Sequence, residues 1–354
     1  FRGPAESGAG PISLSPDGGL LAAGRASPAE VIVFDVGGGE ERYRVDLGAG
    51  RVAWGPAFSP DGFLLAVLDD VSGPDAVEPR IVLLDPASGE EVRSIQAPVQ
   101  AWNRIVFSPD GGRIAALAQE SSQLLIVDLE TDESSAFALS GALVGIDWSP
   151  DGDLLAVSGN RGIVRLIDPQ DGQEVLALRG HAGIVWSVAF DPRGGRLASA
   201  GIAPAGETLV WDVSSGGLSE IASYETPYPR FGTGAVRLSS DGKAVLLGTE
   251  EGTASHVARL DLAGGRVVAE VDEQFSEFVW NPLLTPEAGM VATLADGGGA
   301  TLLDDESFEE ATPWTSDGRV LAVSADGRRA VAAGWDGTSP AAVVDLGSGS
   351  IAMD

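Results

Sequence analysis

The sequence predicts an all-β chain, a β-propeller most simply built from eight four-stranded blades, and two recurring markers carry that prediction. The first marker is the turn signal Ser-Pro-Asp-Gly, which occurs at 15–18, 59–62, 108–111 and 149–152, with looser copies at 191–194, 240–242, 285–287 and 325–327. The second is an apolar stretch ending in an aspartate and followed by small residues. Its eight aspartates are Asp35, Asp85, Asp128, Asp168, Asp212, Asp261, Asp304 and Asp345, a mean spacing of about 44 residues. No long window carries the apolar i, i+3, i+4, i+7 stripe of a helix.

Residues 183–222 show the unit in full. The run 184–190 is apolar and β-rich, 191–194 is a turn, 196–200 is a second strand, 208–213 a third, 214–217 a hairpin turn and 218–223 a polar fourth strand. The first three strands are almost continuously apolar, as expected where both faces of a sheet are covered. The fourth, as at 40–46 or 173–178, alternates with charge, which suits an outer edge. Unit boundaries fall near 48, 98, 140, 180, 226, 274 and 316. A single core for 354 residues would exceed the usual limit of about 250–300. Radial repetition avoids that limit, so residues 1–354 read as one domain. Seven blades is the alternative, if 275–316, whose markers are weakest, is an insertion. Residues 1–10 either pair with the last short strand at 350–354 or form the end of a linker.

The turn signal has a local physical reason. Proline sets φ at the second turn position, aspartate caps nearby backbone N–H groups, and glycine accepts positive φ. Repeated Asp and Gly could also suggest calcium, but no D-x-[DN]-x-[DN]-G loop occurs.

Composition narrows function by exclusion. The chain has 22 Lys plus Arg against 52 Asp plus Glu, a formal net charge of −30, which opposes nucleic-acid binding through a basic groove. It has no cysteine, hence no disulfide, thiolate metal site or cysteine nucleophile. No apolar run approaches the roughly 18 residues of a membrane-spanning helix. The first residues, Phe1-Arg2-Gly3-Pro4, show no signal-peptide pattern, and the missing initiator methionine suits a domain cut from a longer chain. Gly-rich stretches at 37–39 and 297–299 read as hairpin turns, not phosphate loops, and no Walker loop, nucleophile elbow or H-E-x-x-H is present. No cofactor or metal is expected.

Gly180-His181, the strand 184–190, Leu197-Ala198-Ser199-Ala200 and Trp211-Asp212 together resemble one complete WD40 repeat. The other units resemble degenerate bacterial WD40 and PD40 (TolB-like) repeats, with Ser-Pro-Asp-Gly kept and the Gly-His and Trp-Asp pairs lost. The resemblance covers essentially the whole chain. It implies that His181 joins a buried hydrogen-bond network with Ser199 and Trp211. The turn aspartate of that network has no counterpart, because residues 202–207 replace the usual Asp-Gly turn. His256 reads as a strand residue without a chemical partner. The acidic groups Asp69-Asp70, Asp304-Asp305-Glu306 and Glu309-Glu310 read as solvated loops or outer strands.

Tryptophan gives the sharpest lead. Aligning the units on the apolar residue before each turn places Gly10, Trp54, Asn103, Val144, Trp186, Gly234, Trp280 and Arg319 four positions earlier. The resemblance puts that position around the mouth of the central channel, on the face that contacts partners. Trp54, Asn103, Trp186, Trp280 and Arg319 are therefore the candidate contact residues, since Trp and Arg are enriched at interface hot spots. The alternative is that the rings fill space between blades.

The expected function is a non-catalytic, monomeric propeller that presents this face to a protein or peptide, with basic partners favoured by charge. The resemblance adds a context, the sensor part of a larger multidomain bacterial protein in the cytoplasm. A periplasmic or secreted TolB-like binding propeller is the second reading. A propeller lactonase or hydrolase is the third, and it would need clustered titratable groups at the same mouth.

Overall fold

A computed structural model describes residues 12–17, 19–26, 29–35, 41–48, 51–71, 79–97, 104–118, 122–202, 206–214, 219–225, 233–239, 241–251, 254–263, 266–274, 283–285, 290–294, 300–304, 310–314, 318–323, 329–334, 342–345 and 350–352. These residues contain no helix and form eight four-stranded antiparallel sheets. Each sheet is a meander of four consecutive strands, so 275–316 is a blade and not an insertion. The N-terminal residues 1–10, for which sequence offered two roles in closing the blades, lie outside the described residues.

The strands fall into two compact units, 1–140 with 317–354, and 141–316. In the first, blade 1 comprises β1 (Ile12–Leu14), β2 (Leu20–Ala26), β3 (Ala29–Asp35) and β4 (Glu41–Asp46). Blade 2 comprises β5 (Arg51–Phe58), β6 (Leu65–Val71), β7 (Arg80–Leu84) and β8 (Glu91–Gln96). Blade 3 has β9 (Ile105–Phe107), β10 (Arg113–Ala118), β11 (Gln123–Asp128) and β12 (Ser134–Ala138). In the second unit, blade 4 has β13 (Leu143–Trp148), β14 (Leu155–Gly159), β15 (Ile163–Ile167) and β16 (Glu174–Arg179). Blade 5 has β17 (Ile184–Phe190), β18 (Arg196–Ile202), β19 (Glu207–Asp212) and β20 (Ser219–Glu225). Blade 6 has β21 (Thr233–Leu238), β22 (Ala244–Glu251), β23 (Ala254–Asp261) and β24 (Arg266–Gln274). Blade 7 has β25 (Leu283–Thr285), β26 (Met290–Leu294), β27 (Ala300–Asp304) and β28 (Glu310–Trp314). Blade 8, in the first unit, has β29 (Gly318–Val323), β30 (Arg329–Gly334), β31 (Ala342–Asp345) and β32 (Ser350–Ala352).

The apolar first three strands are explained by two-sided burial. Along β6, Leu65 and Val67 join Ala22, Val31 and Val33 of blade 1, whereas Ala66 and Leu68 join Phe107, Ile114 and Leu125 of blade 3. The same alternation recurs in blade 5. Leu197, Leu209 and Trp211 pack on blade 4 residues including Val164 and Leu166, while Ala198, Ala200 and Val210 pack on Val236, Val245 and Leu247 of blade 6. The outer strands β4, β8, β12 and β16 are mostly exposed. Each core is thus a layer between two blades, and its size does not grow with chain length.

Meander topology puts the turns joining first to second and third to fourth strands at one end of every blade. The hairpins between second and third strands, and the crossovers to the next blade, lie at the other. At the first end the Ser-Pro-Asp-Gly turns repeat one geometry. In blade 2, Ser59 Oγ donates to Asp61 Oδ1 (2.5 Å) and accepts from the Leu64 amide (2.9 Å), while the Gly62 amide closes the turn on Ser59 O (2.9 Å). In blade 5, Asp191 stands in for the serine and accepts from the Arg196 amide at 2.9 Å. Gly62, Gly111, Gly152, Gly194 and Gly242 all have φ between 67° and 76°, as the turn requires.

The turns also meet one another. A Cβ on Gly62 would lie 3.7 Å from Pro16 Cδ, one on Gly111 3.7 Å from Pro60 Cδ, and one on Gly194 3.4 Å from Pro150 Cδ. In these three pairs the proline of one blade lies beside the turn glycine of the next, whereas Gly242 faces Arg193. Outer strands add a second fastening. Tyr43 on β4 donates its hydroxyl to Pro86 O (3.0 Å) in blade 2, and Arg93 on β8 donates to Leu129 O (2.6 Å) and pairs with Asp132 in blade 3.

Candidate functional site

Blade 5 holds a buried polar trio. In blade 5, Trp211 Nε1 donates to Ser199 Oγ at 2.9 Å, and Ser199 Oγ lies 2.7 Å from His181 Nε2. Ser199 is fully buried, and His181 and Trp211 nearly so. With the serine oxygen accepting from tryptophan, its own proton is best spent on His181 Nε2, which makes the imidazole neutral with its proton on Nδ1. Burial agrees, pushing the His181 pKa down to about 4.

His181 Nδ1 faces Glu207, whose Oε2 lies 3.2 Å away, although too obliquely for a hydrogen bond. A carboxylate thus occupies the place left vacant by the missing turn aspartate. Glu207 opens β19 on the rung shared with Gly201 of β18 and Val185 of β17. Sequence missed it because the segment 202–207 departs from the usual motif spacing.

The same rung in blade 2 carries different chemistry. There Ala53, Asp69 and Arg80 are paired across β5, β6 and β7. Asp69 is fully buried, not a solvated acidic residue as its Asp-Asp sequence implied. Its Oδ2 accepts from Arg80 Nε at 2.7 Å and lies 2.6 Å from Arg51 Nη1. Two guanidiniums supply the counter-charge that a carboxylate needs away from water. Arg51 begins β5, so the ion cluster ties the first residue of that strand to β6 and β7.

The candidate contact residues are distributed as follows. Trp186 is half-buried at the start of β17, and the ladder with β18 skips it, pairing Val185 with Gly201 and Ser187 with Ala200. Val144 and Gly234 are skipped in the same way in blades 4 and 6. The aligned position is therefore a β-bulge in these three blades, a device that re-aims a side chain out of the ladder. Trp54 remains paired with Leu68, and the irregularity falls on Gly55 and Pro56. Arg319 is paired with Ala333, and blade 8 skips Leu321 instead. Asn103 and Trp280 lie outside the described residues. Trp54 and Arg319 belong to the first unit and Trp186 to the second. His256 sits on β23, in register with Thr249 and Asp272. Asp304 ends β27 and Glu310 begins β28, so these two acidic positions are strand ends.

Comparison with known proteins agrees with this geometry. Residues 172–212, which span the end of blade 4 and three strands of blade 5, match the WD domain, G-beta repeat. The fold is a β-propeller. Residues 113–191 match the WD40 domain of anaphase-promoting complex subunit 4. An uncharacterized WD repeat-containing protein of Synechocystis, sll1491, is 27% identical over 145 residues, covering 41% of this chain and 40% of that protein. The WD repeat-containing protein SL1-17 of Schistosoma mansoni is 31% identical over 128 residues, covering 35% of this chain and 42% of that protein. The chain thus matches about two fifths of the length of these curated relatives. Among solved structures, the β-propeller domain of Myceliophteria thermophila Cps50 (Swd1) is similar with a TM-score of 0.61 at 15% identity, covering 82% of this chain and 93% of that one. That likeness concerns fold. Among the described residues, no helix is long and apolar enough to cross a membrane.

Proposed function

We propose that this chain is a non-catalytic interaction propeller that binds a protein or peptide through the end bearing the crossovers, with Trp186 as the anchor in the second unit. The observation that carries the reading is the bulge at Trp186. A half-buried indole at a β-bulge, where the side chain is re-aimed out of the ladder, is the residue type favoured at hot spots. Trp54 and Arg319 are the parallel candidates of the first unit, with Asn103 and Trp280 proposed from sequence alone. The WD40 match supports a protein partner, and the net charge of −30 favours a basic one. A role as the sensor part of a longer cytoplasmic bacterial protein belongs to the same proposal, and a periplasmic or secreted TolB-like binding propeller is its alternative.

The test is an affinity capture from lysate of the source organism, followed by titration of the captured protein against wild type and Trp186→Ala. Loss of at least about tenfold in affinity, with an unchanged unfolding midpoint, is the expected result. Equal affinity of the two proteins would remove Trp186 from the contact. A drop in unfolding midpoint would assign the ring to packing.

A further inference from the structure

The opposite end of blade 2 carries apolar surface that the fold does not use. In the described turns, the residue after the turn glycine is Gly19, Gly112, Asp153, Gly195 or Lys243, all suited to solvent. In blade 2 it is Phe63, whose side chain is 75% exposed although its amide is held by Asp61 Oδ1 at 3.0 Å. Val92 is 56% exposed at the same end of the blade, where the β7–β8 ladder skips it between Glu91 and Arg93. Phe63 lies in the β5–β6 turn and Val92 near the start of β8, so both belong to the turn end of one blade.

The surroundings are acidic. Asp61 and Glu90 are exposed in the two turns of blade 2. The contacts of Pro16 with Gly62 and of Pro60 with Gly111 bring the turns of Asp17 and Asp110 alongside. Arg42 reaches the same turn at Ala87 O and Asp85, Arg113 stands beside Asp110, and Arg93 turns to Leu129 O and Asp132, so the carboxylates of Asp17, Asp61, Asp85, Glu90 and Asp110 outnumber these cations.

We propose that Phe63 and Val92 form a second docking surface, which takes a cationic segment of another protein with an apolar side chain next to its arginine or lysine. Charge complementarity selects that occupant. A neutral or acidic apolar segment gains nothing from the carboxylates, and a second copy of this chain would bring its own charge of −30. A guanidinium stacks on the exposed Phe63 ring while Asp61 and Glu90 supply counter-charge, and the adjoining apolar side chain covers Val92. This surface belongs to the first unit, whereas Trp186 belongs to the second, and it does not depend on the contact proposed there.

Fluorescence anisotropy with a fluorescein-labelled peptide of alternating arginine and leucine tests it, with an arginine–glycine peptide as control. Wild type is expected to bind the arginine–leucine peptide more tightly than the control and to lose affinity with added NaCl. Phe63→Ala and Phe63→Asp are expected to weaken binding at least about tenfold, with circular dichroism unchanged, and Val268→Ala, an exposed apolar position on β24, to leave it unaltered. Absence of binding by wild type, or equal binding by wild type and Phe63→Ala, would overturn the proposal. Binding lost in Trp186→Ala and kept in Phe63→Ala would overturn it too, by moving the contact to the second unit.

Discussion

Ser199 is the residue on which blade 5 depends most heavily per atom, because one hydroxyl serves both Trp211 and His181. Ser199→Ala leaves a buried indole N–H and an imidazole nitrogen unpaired, and a loss of about 2 kcal/mol is expected in urea unfolding. The histidine adds a pH dependence. Its folded pKa of about 4 lies below the unfolded value of 6.5, so between these values the unfolded chain holds the proton and the folded chain does not. Stability contributed by neutral His181 is therefore complete above 6.5 and is lost as pH falls towards 4, by on the order of 3 kcal/mol. His181→Gln should flatten unfolding free energy over that window, and an unchanged slope would show that another group titrates there. The His181, Ser199 and Trp211 triad was legible in sequence because each sits at a fixed place in a repeat. Glu207 and Asp69 were not, because strand register decides what they face.

Individual strands were read to within one or two residues. Sequence placed the third strand of blade 5 at 208–213, and β19 runs Glu207–Asp212. Hidden from sequence was the way elements of neighbouring blades lock together, since the repeat motif looks like a self-sufficient turn. Gly89 shows the difference. Its φ of +76° already disfavours a side chain, and the Tyr43 ring of blade 1 lies where a Cβ would go. Gly48 has φ of +101° and open space around it. Gly48→Ala should therefore cost only backbone strain, about 1–2 kcal/mol, and Gly89→Ala clearly more. In a Tyr43→Ala background the two glycine substitutions should become equal, as read from unfolding midpoints. Persistent inequality would mean that the Tyr43 clamp does not press on the turn.

Over the whole molecule, layered cores solve the problem of chain length but leave the problem of charge. A net charge of −30 repels itself more strongly in the folded state than in the expanded chain. Acid does not relieve this usefully, because the turn carboxylates are locally held. Ser hydroxyls, then backbone amides, lower the pKa of Asp17, Asp61, Asp110 and Asp151, and backbone amides lead the lowering at Asp85 and Asp128. Their stabilisation is present above the ordinary value of 3.8 and disappears as pH falls below it, where the unfolded chain takes up protons first. Salt acts differently, shortening the screening length from about 10 Å at 0.1 M to about 3 Å at 1 M while leaving short hydrogen bonds intact. The thermal midpoint at pH 7 should therefore rise by a few degrees between low and high NaCl, and should fall below about pH 4 at every salt concentration. Calorimetry across both variables checks this. A midpoint that drops with salt would mean that the ion pairs Arg51 and Arg80 with Asp69, and Arg93 with Asp132, outweigh the repulsion of the acidic surface.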